Sequence, residues 1–391
     1  MTEPGRSKVR FGILGLGMAG GMMVSCLANH PRTALAGAAD LEPQLRARFS
    51  RDHGVEVNAD AEALIRRKDI DAIYVATPHQ FHKAHAVLAA EHGKHLIVEK
   101  PMALTLADCD AMIEAAARNR VTLVVGHTYS CEPAVACMAK LAAEGGIGAL
   151  AMIAMWNYTD FLYRPRRPEE LDTSKGGGIL FNQVPHQVDI ARLLAGSPLR
   201  SVRASTGRLD PRRPTEGCCM AFLAFENGAA ATLVYSGYDH FDSDELHGWV
   251  GATGRPKAPR HGAARRALAA LNDDSAEARM RSERYGYGGD AHFLAGEPEY
   301  QAHFGTLVAT YEHADLRTSP KGVLVYSDEG VREIALPATG TGRTLLVDEF
   351  CAAVDGGVPA VHDGRFARGT VEASIAILES ARQRREIRLI H

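Results

Sequence analysis

Residues 9–21 read V-R-F-G-I-L-G-L-G-M-A-G-G, an apolar run that breaks into glycines spaced G-x-G-x-x-G at Gly15, Gly17 and Gly20. Each glycine has its own task. Gly15 permits a tight turn out of a strand, Gly17 lets backbone approach a pyrophosphate, and Gly20 lets the next helix pack close to the strand. That helix's N-terminus attracts phosphate charge, and Met18 and Ala19 inside the motif are candidate cofactor contacts with the glycines. Glycine-rich turns also serve ordinary strand–turn–helix units, so context decides. Here a β-rich run precedes the turn, residues 22–28 read as helix, and Asp40 follows about twenty residues on, after a second apolar run. The pattern is that of a dinucleotide site.

Working outward, strand and helix signals alternate as far as Gly126. Strands are expected at residues 10–15, 34–39, 72–76, 95–99 and 122–126, and helices at 61–67, 83–92 and 106–118. Short apolar strands separated by helices predict a parallel sheet covered on both faces, with its ligand at the carboxyl ends of the strands where strand order reverses. Beyond Gly126 the strands lengthen and alternate: 149–158, 201–208, 218–225, 229–236 and 322–327, with helices at 132–143, 185–194, 346–354 and 370–384. The fold class is therefore α/β: an N-terminal Rossmann domain with a doubly wound parallel sheet (residues 1–127), then a C-terminal α/β domain with a large, mostly antiparallel open sheet (residues 128–391). Residues 253–289, rich in Arg, Gly, Pro and Asp, read as an insertion of loop character. It has one helical piece at 261–271 and is a candidate lid or oligomer arm.

Composition narrows the function classes. A chain of 391 residues suits two domains, and a net charge of -3 argues against a nucleic-acid footprint. No apolar stretch approaches membrane-spanning length, and M-T-E-P-G-R-S-K has no apolar signal core. Seven cysteines without a C-x-x-C suggest free thiols in a reducing compartment, so a cytoplasmic protein is expected.

Three further constellations carry chemistry. Thr77-Pro78-His79-Gln80-Phe81-His82 follows the strand at residue 72, which places Thr77, Pro78 and His82 at the sheet's carboxyl edge; a simple Thr-Pro turn would use the same residues. Glu99-Lys100-Pro101 ends the next strand, so Glu99 and Lys100 face the same crevice or stand as surface charges at a strand end. Gly176-Gly177-Gly178-Ile-Leu-Phe-Asn182-Gln183-Val184-Pro185-His186-Gln187-Val188-Asp189 puts Asn182 just before a helix and His186 and Asp189 on one helical face. A metal site is not expected, because no set of Cys, His and Asp has ligand spacing.

The order G-x-G-x-x-G, E-K-P, then G-G-G followed by a polar residue and a histidine resembles the Gfo/Idh/MocA oxidoreductase family, over nearly the whole chain. The resemblance implies NAD or NADP as cofactor and oxidation or reduction of a carbon–oxygen bond in sugars, inositols or cyclic diols. It implies Gly15, Gly17 and Gly20 as the cofactor motif, Lys100 as the catalytic lysine and His186 as the catalytic histidine. It also implies a homodimer or homotetramer built through the C-terminal sheet. The family's usual aspartate, four residues before the histidine, is Asn182 here; an amide orients by hydrogen bonding but cannot raise a neighbour's pKa as a carboxylate does. A nucleotide-binding regulator without turnover therefore stands beside the enzyme reading.

Asp40 favours NAD over NADP, since its carboxylate accepts from both ribose hydroxyls and repels a 2′-phosphate. His186 would exchange the alcohol proton while Lys100 hydrogen-bonds the same oxygen, or the two roles are reversed. Arg164 and Arg166, in a loop before the glycine triplet, suit carboxylate recognition. Residues 303–317 and the stretch around Asn182 are similar to the phthalate cis-dihydrodiol dehydrogenase branch, whose members form a catechol with NAD. A sugar or inositol dehydrogenase is the competing reading.

Overall fold

The computed structural model describes residues 8–271, 274–289, 298–338 and 340–389. The chain divides into two compact units. The first comprises Met1–His127, Arg281–Ala291 and Arg343–Arg368; the second comprises Thr128–Met280, His292–Gly342 and Gly369–His391.

In the first unit the elements run β1 (Val9–Leu14), α1 (Met18–Asn29), β2 (Thr33–Ala39), α2 (Pro43–His53), β3 (Glu56–Asn58), α3 (Ala61–Ile65), β4 (Ala72–Val75), α4 (His82–Glu91), β5 (His95–Val98), α5 (Leu106–Asn119) and β6 (Leu123–Val125). All strand pairs are parallel in the order β3-β2-β1-β4-β5-β6. This is the doubly wound order, and its switch point falls between β1 and β4. Phe11, Ile13, Ile73, Tyr74, Leu96, Ile97 and Val98 are wholly buried, as expected of strands covered on both faces. Phe350, from the returning segment, packs on Phe11 with ring centroids 5.3 Å apart. The strands expected from the sequence lie within a residue or two of those observed; α2 and β3 were not anticipated.

The second unit contains α6 (Pro133–Ala143), β7 (Leu150–Tyr158), α7 (Ile179–Asn182), α8 (Val184–Ala195), β8 (Leu199–Gly207), β9 (Cys218–Phe225), β10 (Ala230–Ser236), α9 (Ala263–Ala269), α10 (Asp274–Arg284), β11 (Thr306–Tyr311), β12 (Ala314–Ser319), β13 (Gly322–Ser327) and β14 (Gly330–Ala335). Then follow α11 (Gly342–Val354), α12 (Gly364–Gln383) and β15 (Ile387–Arg388). Nine strands form one sheet in the order β14-β13-β12-β11-β7-β10-β9-β8-β15, antiparallel except for the β7–β10 pair. Helix α8 packs on β7 and β10, and α6 on β12 and β13. The opposite face exposes Met152, Trp156, Met220 and Phe222, with Trp156 and Met220 flanking Val234 in register. The stretch read as a loop-like insertion holds two helices, α9 and α10. Among the described residues, no helix is long and apolar enough to cross a membrane.

A buried histidine pair lies beside β11. The rings of His247 and His303 stack with centroids 4.0 Å apart. His303 Nδ1 accepts from Gly305 N–H at 3.1 Å and Nε2 meets Val250 O at 2.8 Å, an arrangement that uses the neutral ring. Burial pushes both imidazoles down to about 4, from an ordinary value of 6.5. The unfolded chain therefore takes up these protons first, and stability falls as pH drops from about 6.5 toward 4. A melting-temperature series over that range should show this fall, and His247→Gln should make it shallower by removing one of the two groups.

Candidate active site

The first unit gathers one set of candidate residues. Gly15 has φ +92, and a Cβ there would lie 2.7 Å from Ala76 O; one at Gly20 would lie 1.9 Å from Gly15 O. Only glycines can build this turn. A Cβ at Gly17 would meet no atom within 4 Å, and Gly17 N-caps α1 without any side-chain cap bond. Met18, Ala19 and Gly20 thus present the first-turn N–H groups and the positive end of the helix dipole. Asp40 reaches back from the end of β2, its Oδ2 accepting from Leu16 N–H at 2.6 Å and its Oδ1 from Glu42 N–H at 2.8 Å. Open space at Gly17, an uncapped helix N-terminus and a carboxylate at the end of β2 together fit a dinucleotide.

Beside this turn, Thr77 and Pro78 follow β4, and Glu99 and Lys100 follow β5. Tyr74 donates its buried hydroxyl to Glu99, whose other oxygen accepts from Lys100 N–H at 3.2 Å, so the carboxylate steadies the strand end that carries the lysine. His82 departs from the expectation of a cofactor contact. It is wholly buried, with Nδ1 3.0 Å from Pro101 O and Nε2 2.8 Å from Thr77 O. Burial lowers its pKa although both carbonyls favour the charged ring, and the imidazole ties the loop after β4 to the loop after β5.

In the second unit the glycine triplet shapes the other set. Gly178 has φ +75, and a Cβ there would sit 2.2 Å from Thr215 Oγ1. Asn182 Nδ2 donates to Gly176 O at 2.9 Å and Gly178 O at 2.8 Å. An aspartate would set lone pairs against both carbonyls, so the amide is matched to this loop. His186 follows in the first turn of α8, only 5% exposed. Its ring lies edge-on to Tyr129 at 4.8 Å and against Phe304 at 4.9 Å. Phe304 also stacks on Tyr235, whose hydroxyl reaches Gln183 Oε1 at 3.0 Å. Tyr129, Gln183, Tyr235 and Phe304 were not foreseen, since nothing in their local spacing marks them. Asp189 is held inside the unit by hydroxyls of Ser130 and Thr370, the latter at 3.0 Å, with Arg192 2.8 Å from the same Thr370 oxygen.

The loop arginines hold internal partners. Arg164 pairs with Asp160 at 2.7 Å; burial alone would raise that carboxyl, but Arg164 overrides it and holds it at about 2. Arg166 is half-buried, with its guanidinium 3.8 Å over the Phe161 ring and Nη2 2.8 Å from Phe161 O. Both arginines thus have partners within their own loop, and these contacts help to shape it.

Residues 9–127 match the oxidoreductase family with the NAD-binding Rossmann fold, and residues 135–254 match the GFO/IDH/MocA C-terminal domain. The chain is 38% identical, over 96% of its length and 95% of the relative's, to a 1-carboxy-3-chloro-3,4-dihydroxycyclohexa-1,5-diene dehydrogenase of Comamonas testosteroni. A crystal structure from Bordetella bronchiseptica RB50, assigned as a dehydrogenase, superposes with a TM-score of 0.94 at 48% identity, covering 98% of this chain and 100% of that one. Levoglucosan dehydrogenase in complex with NADH and levoglucosan shares the fold, with a TM-score of 0.74 at 20% identity over 98% and 100% of the two chains.

The amide at residue 182 can be tested directly. Asn182→Asp should cost about 2 kcal/mol at pH 7, the scale of two carbonyls losing their donors. The loss, read from urea unfolding, should shrink at pH 5, where a protonated carboxyl can donate once.

Proposed function

The chain belongs to the GFO/IDH/MocA family of NAD-binding oxidoreductases, and from that premise we propose that it is an NAD-dependent dehydrogenase oxidising a secondary alcohol of a cyclic diol. Its substrate class is the carboxylated aromatic cis-dihydrodiol, converted to the catechol. The observation that carries this reading is the near full-length relationship to an enzyme named for a carboxylated dihydroxycyclohexadiene. Bound NAD supplies the hydride acceptor for the carbinol carbon. His186 takes the hydroxyl proton, and Lys100 donates a hydrogen bond to the same oxygen, favouring alkoxide character as the C–H bond breaks. The resulting enone loses its ring C–H proton and aromatises, which makes the oxidative direction strongly favoured. Asn182 keeps the glycine loop ahead of His186 in one conformation. Asp40, at the end of β2, supports NAD over NADP through the ribose hydroxyls.

A screen for NADH formation with aromatic cis-dihydrodiols, cyclitols and aldoses tests the substrate class. Turnover with carboxylated dihydrodiols and little with the others is expected; preference for a cyclitol or an aldose would replace it with the sugar or inositol reading, and tight cofactor binding with no turnover on any would favour a regulator. His186→Ala should lower kcat at least ~10²-fold, whereas near wild-type turnover would remove the histidine from the chemistry.

We further propose a homodimer or homotetramer formed through the open sheet face, and a cytoplasmic location. An apolar strip of Met152, Trp156, Met220 and Phe222 on that face supports the first, and seven free thiols support the second. Trp156→Glu should shift the mass measured by light scattering toward the monomer.

A further inference from the structure

The sequence Tyr285-Gly286-Tyr287-Gly288-Gly289, at the end of the segment read as an insertion, belongs to the first unit and packs on its glycine turn. Tyr287 N–H donates to Leu16 O at 2.8 Å, inside the G-x-G itself. The Tyr287 ring lies edge-on to Phe49 of α2 at 5.0 Å, and its hydroxyl reaches His53 Nε2 at 2.8 Å and Asp52 Oδ2 at 3.2 Å. The backbone lies close to its neighbours on either side. Gly288 has φ +78, and a Cβ there would lie 1.9 Å from Arg48 Cζ; a Cβ at Gly21 of α1 would come 3.4 Å from Tyr287 Cα. The short segment is therefore seated between α1 and α2, directly against the turn.

Its effect on the turn follows from peptide geometry. Leu16 is wholly buried, and its N–H is already held by Asp40 at 2.6 Å. Tyr287 holds its C=O. In a trans peptide the C=O of Leu16 and the N–H of Gly17 point in opposite directions, so fixing one aims the other. With both polar groups of Leu16 engaged, the turn cannot rotate its peptide, and the Gly17 N–H keeps one orientation at the helix N-terminus.

We propose that residues 285–289 are a strap that pre-orients the Leu16–Gly17 turn for the pyrophosphate of the dinucleotide, with Tyr287 as the positioning residue. The strap rests on the NAD-binding reading of the glycine turn. It acts on cofactor affinity and not on the chemical step. Such pre-orientation is the kind of gain that comes from removing freedom before binding.

The test uses ADP-ribose, which carries the adenosine and pyrophosphate but no reacting ring, beside steady-state kinetics on the full-length enzyme. Tyr287→Ala, which removes the anchor presenting the N–H, should weaken ADP-ribose binding by calorimetry about fivefold or more. It should raise the KM for NAD by a similar factor and leave kcat at saturating NAD within about twofold. Tyr287→Phe keeps the ring against Phe49 and should restore most of the affinity. If Tyr287→Ala does not fold, Gly288→Val, which drives the strap off Arg48, takes its place with the same expectation. Wild-type ADP-ribose affinity in a folded variant, or a fall in kcat without any change in that affinity, would overturn the strap. Failure of the wild-type protein itself to bind ADP-ribose would instead overturn the cofactor reading beneath it.

Discussion

The tightest constraint in the first unit is backbone against backbone. The place a side chain would take at Gly20 is 1.9 Å from the carbonyl oxygen of Gly15, so α1 approaches the end of β1 with nothing between them. That approach brings the N-terminus of α1 to the carboxyl edge of the sheet, where β1 and β4 diverge. It also sets Leu16 where three elements can reach it: Asp40 from β2, the strap at Tyr287, and the helix it precedes. A dinucleotide site follows because the turn ends in unsatisfied N–H groups that a phosphate can accept.

The second unit solves a different problem. It must bury a nine-stranded sheet on one face and still present an imidazole. Helix α8 does both, because its residues from Val184 to Ile190 are all buried while its first turn carries His186 among aromatic rings. Two polar side chains beside it are each held by two partners: Asp189 by hydroxyls of Ser130 and Thr370, and Asn182 by two glycine carbonyls. Such matching is what makes buried polarity tolerable. It also suits an amide at Asn182, since the loop it closes turns two carbonyls toward its nitrogen.

How much could be read from residues alone varied with the physical signal. Buried parallel strands such as Ile13–Leu14 and Leu96–Val98 announce themselves as apolar runs between glycines and helices. Helix α2 buries only Phe49 and carries three arginines, so it shows no apolar stripe; its signals were Pro43 at the first turn and Gly54 at the C-cap, φ +66. Strand β14 is an exposed edge, V-R-E-I among glycine and alanine, and is a strand only because β13 offers it partners. Helix α10, dense in Arg and Glu, was hidden for the same reason as α2. The loop arginines suited a carboxylate by type, and only the folded loop shows their internal partners, Asp160 and the Phe161 ring and carbonyl.

By itself the sequence determined the fold class, the dinucleotide turn and the family, and it put Lys100 and His186 forward as the candidate reactive side chains. These are matters of local spacing: glycines no other residue can replace, and polar residues placed just after strands. Tertiary structure alone decided which partners the polar groups meet. His82 lies between two carbonyls, Asp189 accepts from two hydroxyls, and Arg166 lies on an aromatic ring beside a carbonyl. It alone brought Tyr287 to the glycine turn across more than two hundred residues of chain. A hydrogen bond depends on a partner's position in space, and no spacing within the glycine motif records who that distant partner is.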